Sequence, residues 1–199
     1  MRTAVAVARR GRVLKQRSRE RRATTTATAA RSLRDVHELT WAGSAVTVLD
    51  LTRSRDLECG NVLCDVPRGC PCRLATFAER NRDALRGVER LVLAGNDLRA
   101  LPRSVLSPAL FPALRALDAS DNGLDELPAE LGALTTLEEL DVSGNPAIES
   151  LPAGALLALP RLARVNVAGL RASAVQPLAA AANRRFELVG GGTREGAIR

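Results

Sequence analysis

The sequence predicts an α/β solenoid of about five stacked units. Three observations predict it. First, VERLVLAGNDL (88–98), LRALDASDNGL (114–124) and LEELDVSGNPAI (137–148) share one pattern, with apolar residues at positions one, four and six and an Asn at nine. Second, Leu91, Leu117, Leu140 and Val165 recur at steps of 26, 23 and 25 residues. Third, each L-x-L core alternates with period two, the signature of a short half-buried strand rather than of an amphipathic helix. A strand-turn unit of this size cannot bury its apolar side alone, so it stacks on copies of itself.

Each part of the unit has a reason. Leu91/Leu93, Leu117/Ala119 and Leu140/Val142 form the buried side of a strand. Asn96, Asn122 and Asn145 follow, and an Asn amide can bond the backbone groups that a turn leaves unpaired. Stacked, these three form a structural Asn ladder. The second half reads L-x-x-L-P-x-x-x-L-x-x-L-x-x-L, cleanest in Leu124, Leu127, Pro128, Leu131, Leu134 and Leu137. Pro suits the first turn of a short helical or extended return path. The preceding copy carries extra residues around Ser107, Pro108 and Ala109, and the following one near Ala147 and Ala155. All insertions fall outside the strand core.

Two weaker copies flank the clean three. VTVLDLTRSRDL (46–57) keeps Val46, Leu49 and Leu51, with Ser54 in place of Asn. LARVNVAGL (162–170) keeps Leu162, Val165 and Val167, with Leu170 in place of Asn. FELV (186–189) supplies a terminal strand.

The wording "L-P-x-x-L…L-D-V-S-G-N" resembles the leucine-rich repeat family, most closely its short intracellular class of Ras-group-related and scribble-like scaffold proteins. That resemblance implies a short right-handed horseshoe with a parallel concave sheet. It also implies a protein partner on the concave face, bound by the side chains between the buried leucines. Those side chains include Asp50, Asp118, Asp141 and Asn166 at one repeated place, and Arg53, Arg90, Asp121, Glu139 and Arg164 outside the family wording. The row is mostly acidic and suits Arg or Lys on a partner. Part of it is ordinary repeat wording, since Asp is common in L-D-x-S-x-N. The face offers no aromatic anchor, so a modest polar interface is expected.

The domain organisation follows. Residues 1–34 are a basic arm and 190–199 a flexible tail. The repeat domain spans 35–189, with caps at 35–45 and 175–189 and a cysteine-bearing insertion at 58–73. The net charge of +7 conceals a division. Residues 1–34 hold eleven basic residues against Glu20, so the body is slightly acidic. The segment RRGRVLKQRSRERRATTTATAARS (9–32) has three readings: an organellar transit peptide, a nucleic-acid- or ribosome-binding arm or import signal, and a solubilising tail. Its arginines lack the interleaved aromatics that stack bases. Arg outnumbers Lys 28 to one, which reflects a GC-rich coding sequence and is not by itself a nucleic-acid signature.

The four cysteines cluster as Cys59, Cys64, Cys70 and Cys72, inside a gap of 42 residues between Leu49 and Leu91. Four thiolates are a zinc set in principle, but Cys70-Pro71-Cys72 is a poor chelating pair. Two disulfides or four reduced thiols are the alternatives. After the cluster, Leu74, Phe77, Ala78, Asn81 and Leu85 share a helical face, predicting a helix at about 73–86.

No constellation points to catalysis. His37 is the one histidine and has no partner motif, and GGG (190–192) lacks the Lys of a phosphate loop. The expectation is a non-enzymatic adaptor without cofactor or metal, monomeric, and intracellular: cytoplasmic, or organellar if the arm is a transit peptide. AVAVA (4–8) is too short for a secretory core, and no apolar run reaches membrane-spanning length.

Overall fold

The computed structural model describes residues 28–57, 71–182 and 185–190. Seven strands form one parallel sheet in sequential order. They are β1 (Ala29–Ala30), β2 (Val48–Asp50), β3 (Arg90–Val92), β4 (Ala116–Asp118), β5 (Glu139–Asp141), β6 (Arg164–Asn166) and β7 (Glu187–Val189). The register places Leu49, Leu91, Leu117, Leu140, Val165 and Leu188 side by side. Strands β2 to β6 therefore lie on the five L-x-L copies and β7 on FELV.

The sheet starts earlier than the sequence suggested. Ala29 and Ala30 pair with Val48 and Leu49, so the last residues of the expected arm lie within the folded body. An Ala pair has little apolar patterning, which is why its strand was not legible. Helix α1 (Leu33–Trp41) follows, capped by Ser32, whose hydroxyl accepts from the Asp35 N–H at 3.0 Å.

Pairing extends past the short strands at both ends. At the starts, the carbonyls of Thr28, Thr47, Glu89, Arg115 and Glu138 each accept two N–H groups from the next strand. At the far ends, the N–H groups of Arg53, Gly95, Asp121 and Gly144 each donate to the next repeat's turn. Parallel strands this short hold together because the turns continue the ladder.

The return paths differ by copy, and each difference traces to local sequence. Between β3 and β4 the chain makes turns only, and Phe111 is fully buried where the Ser107–Ala109 insertion widens the loop. Between β4 and β5 a 3-10 turn (Ala129–Ala133) follows Pro128. Between β5 and β6 helix α4 (Ala153–Ala158) follows Pro152. Upstream, the helix expected at 73–86 is two: α2 (Pro71–Arg80) and α3 (Arg82–Leu85). The break falls at Asn81, whose N–H and side-chain amide both donate to the Phe77 carbonyl, while its own carbonyl accepts from the Ala84 and Leu85 N–H groups. Helix α5 (Ala172–Ala182) carries Pro177 and leads towards β7.

The core lies between the sheet and these return paths. Leu49, Leu51, Leu91, Leu93, Leu117 and Leu140 are at most 1% exposed, as are Leu98, Leu124, Leu131 and Leu137 on the return side. Each such side chain contributes about 1.5–3 kcal/mol through burial. The opposite side of the sheet is mostly polar, with Val48, Val92, Ala116 and Val189 among its residues.

Candidate functional site

The outward sheet face is built by strand alternation, with side chains between the buried leucines pointing away from the core. Its first row is Val48, Arg90, Ala116, Glu139, Arg164 and Glu187. Its second is Asp50, Val92, Asp118, Asp141, Asn166 and Val189. The repeated polar place therefore holds Asp50, Asp118, Asp141 and Asn166, with Val92 interrupting it between Asp50 and Asp118.

The first row is an alternating ion-pair chain. Arg90 Nη2 reaches Glu139 Oε2 at 3.4 Å, across the small Ala116. Glu139 Oε1 meets Arg164 Nη1 at 3.5 Å, and Arg164 Nε meets Glu187 Oε2 at 3.3 Å. All four side chains are partly exposed, so each contact contributes about 0–1 kcal/mol. The chain's main effect is to fix the side chains and cancel local charge. Where Ala116 dips, a groove of about 250 Å³ opens between this row and the preceding one, which holds Glu89, Arg115 and Glu138. Arg115 and Glu138 are themselves paired at 3.0 Å.

The second row has a folding role. Asp50 Oδ1 accepts from the Thr52 N–H at 3.0 Å and its hydroxyl at 2.6 Å. Asp118 Oδ1 holds Ser120 the same way, and Asp141 Oδ1 holds Ser143. Asn166 Oδ1 accepts from the Ala168 N–H. Each side chain thus closes the turn that follows its strand. Asp141 is further engaged, its Oδ2 accepting from the Asn166 amide at 2.8 Å. The hydrogen bond from the Thr52 hydroxyl holds the Asp50 carboxyl below its ordinary value, helped by the Thr52 N–H and the charge of Arg31 and opposed by burial.

At the far edge of the face, one aligned position is left-handed in five successive repeats, at Arg53, Gly95, Asp121, Gly144 and Gly169, and Asp97 (φ 55°) adds a second in the β3 repeat. Glycine is the natural occupant, and Arg53 (φ 48°) and Asp121 (φ 50°) replace it. Each then lies over the next glycine. A Cβ at Gly95 would meet the Arg53 side chain at 3.0 Å, and one at Gly144 would collide with the Asp121 carboxylate. At these two contacts there is no room for a second side chain, whereas a Cβ at Gly169 would meet only the Gly144 backbone, at 3.5 Å.

Behind the face, the Asn residues link neighbouring repeats. Asn122 Nδ2 donates to the Leu93, Ala119 and Ser120 carbonyls, and its Oδ1 accepts from the Asn96 and Leu98 N–H groups. Asn96 bonds the Leu51, Leu93 and Ala94 carbonyls and the Ser54 N–H. Asn145 bonds the Ala119, Val142 and Ser143 carbonyls and the Leu124 N–H. Every amide reaches its own repeat and the one before, so one residue type serves turn and stack together.

Sequence reading missed Glu89, Arg115, Glu138 and Glu187. Glu187 follows once FELV is aligned to the other copies. The other three sit one place before the strands, where the simple alternation gives no direction.

Cys59, Cys64 and Cys70 lie outside the described residues, as do residues 9–27 of the arm and 191–199 of the tail. Cys72 is exposed on α2. His37 lies within α1. Among the described residues no cluster of three or more His, Cys, Asp or Glu is placed to hold a metal ion. No helix among them is long and apolar enough to cross a membrane.

No protein-family model matches the chain. It is similar to leucine-rich repeat serine/threonine-protein kinase 1 of Caenorhabditis elegans, at 42% identity over 74 residues, which are 37% of this chain and 3% of that protein. It is also similar to trophoblast glycoprotein of Mus musculus, at 40% identity over 95 residues, which are 47% of this chain and 22% of that protein. The chain spans a small part of either relative. Together with the open parallel sheet, these similarities support a leucine-rich repeat family for the chain.

Proposed function

We propose that this chain is a non-enzymatic interaction module that binds a protein partner through its outward sheet face, the concave face of the leucine-rich repeat solenoid that its sequence resembles. The observation that carries this reading is the unequal use of charge on that face. Arg90, Glu139, Arg164 and Glu187 neutralise one another. Asp118, Asp121 and Asp141 have no ion-pair partner among the described residues and lie beside small side chains, Ala94, Ser120, Ser143 and Ala168. A partner presenting Arg or Lys on an extended segment fits such a shallow acidic trough.

The choice of test follows from the roles of the carboxylates. Reversing Asp118 or Asp141 would break a turn as well as remove a charge. Asp121 has no such bond to lose and Asn tolerates a left-handed backbone, so Asp121→Asn is the informative variant. A matched control, Glu126→Gln, removes one exposed carboxylate from the return path. Proteins captured from an extract by the intact chain should be lost about tenfold by the face variant and kept by the control. Equal retention by both variants would overturn the assignment of the face.

A further inference from the structure

We propose that Asn122-Gly123 is a spontaneous deamidation site, closed while the repeats are stacked and open when the β4 repeat separates from its neighbours, so that the modification marks chains that have lost the stack. Three observations carry it.

The first is local chemistry. Asn122 is the one Asn of the chain followed by Gly. Deamidation begins when the backbone nitrogen of the following residue loses its proton and attacks the Asn side-chain carbonyl carbon. Glycine obstructs that approach least, because it has no Cβ. The other two ladder residues are poorer substrates. Asn145 precedes Pro146, which has no N–H to lose. Asn96 precedes Asp97, whose side chain crowds the approach. At Asn122 the new bond joins Gly123 N to Asn122 Cγ, the Cγ–Nδ2 bond breaks, and ammonia leaves with the proton. Water then opens the cyclic imide at either carbonyl, giving aspartate or isoaspartate.

The second is how the fold holds these atoms. Asn122 is buried. Its Nδ2 donates to the Leu93, Ala119 and Ser120 carbonyls, and its Oδ1 accepts from the Asn96 and Leu98 N–H groups. The Gly123 N–H donates to the Leu98 carbonyl at 3.0 Å. Loss of the Gly123 proton forfeits that bond, and turning Cγ onto the nitrogen works against all the others. Leu93, Asn96 and Leu98 belong to the β3 repeat, so the atoms come free when the β4 repeat opens away from it. Local openings of this kind are part of native-state behaviour.

The third is that the fold does not need a glycine at 123. Unlike Gly95, Gly144 and Gly169, Gly123 is not left-handed. A Cβ there would meet only the Leu98 carbonyl oxygen, at 3.8 Å. Alanine therefore fits, and the reactivity of Asn122 can be lowered without disturbing the ladder.

The modified chain does not rebuild the stack. An ionised carboxylate has no donor, so the Leu93, Ala119 and Ser120 carbonyls lose their partner and face a charge instead. Isoaspartate also lengthens the main chain inside the turn. The site does not depend on what the outward face binds.

The full-length chain is held in mildly alkaline buffer, either native or unfolded by guanidinium. Mass spectrometry with fragmentation follows the tryptic peptide 116–161, which contains both Asn122 and Asn145. In the unfolded chain Asn122 should convert and Asn145 should not. In the native chain conversion at Asn122 should be at least about tenfold slower. Equal rates in the two states would overturn the shielding, and an Asn122 no faster than Asn145 when unfolded would overturn the site. Partly converted chains are then returned to native buffer and treated with protease. The resistant fraction should be depleted of modified chains by about tenfold or more, and an even distribution would overturn the claim that they cannot restack. Gly123→Ala should keep the melting temperature of the intact chain and convert several-fold more slowly when unfolded. Conversion as fast as in the intact chain would overturn ring closure as the route.

Discussion

Asn122 shows how much one side chain carries here. It is 7% exposed and makes five hydrogen bonds, to both its own repeat and its neighbour. Asn122→Ala strands buried carbonyls and N–H groups at about 1–3 kcal/mol each. Urea unfolding should therefore show a loss of about 3 kcal/mol or more, and a loss below 1 kcal/mol would contradict the ladder. Asp50 carries a smaller, pH-dependent share. Its folded pKa lies below the ordinary value, so its contribution is present above that value and is lost as pH falls through the folded one. Asp50→Asn should accordingly flatten the fall in melting temperature below about pH 4. Parallel acid profiles for variant and intact chain would contradict that role. The carboxylates expected to face a partner were legible as a row, but their turn-closing bonds were not. The sequence pattern L-D-x-S shows that Asp and Ser recur together, and only the fold shows that they bond each other.

At the scale of elements, local chemistry decides what each return path becomes. Pro128 precedes a 3-10 turn and Pro152 a helix, whereas the Ser107–Ala109 insertion yields turns around the buried Phe111. Helix α1 is the most conventional element. Ser32 caps it, the Asp35 carboxylate accepts from Arg31 N–H at 2.9 Å, and Arg34 pairs with Glu38 one turn on. Ser32→Ala should cost about 1 kcal/mol, read as earlier hydrogen exchange in α1 than in strands β3 to β5. Unchanged exchange in α1 would show that packing of Val36 against the core, not the cap, holds the helix. The sequence reading placed only a cap at 35–45; the pattern of Ser followed three residues later by an acid went unread there although it was visible. Strand β1 was not, because two alanines signal neither period, and their pairing depends on β2 offering a free edge.

Across the whole molecule, charge is divided as sharply as structure. A basic N-terminal segment precedes a body whose one broad face carries uncancelled carboxylates, and the sheet edge at Thr28 is where the two meet. The sequence by itself determined the stack: the spacing of buried leucines leaves no other way to cover a strand's apolar side, and Asn at a fixed place supplies the bonds that each turn needs. It also determined which residues face outward, because strand alternation depends only on register. The tertiary structure alone decided which of those outward residues are free to act. Arg90 and Glu139 are 49 positions apart, and nothing local indicates that they meet across Ala116. Nor does local sequence show that Asp121 occupies a glycine's conformation over Gly144. Side chains brought together from different repeats compete for the same partners, and that competition exists only once the strands stand side by side.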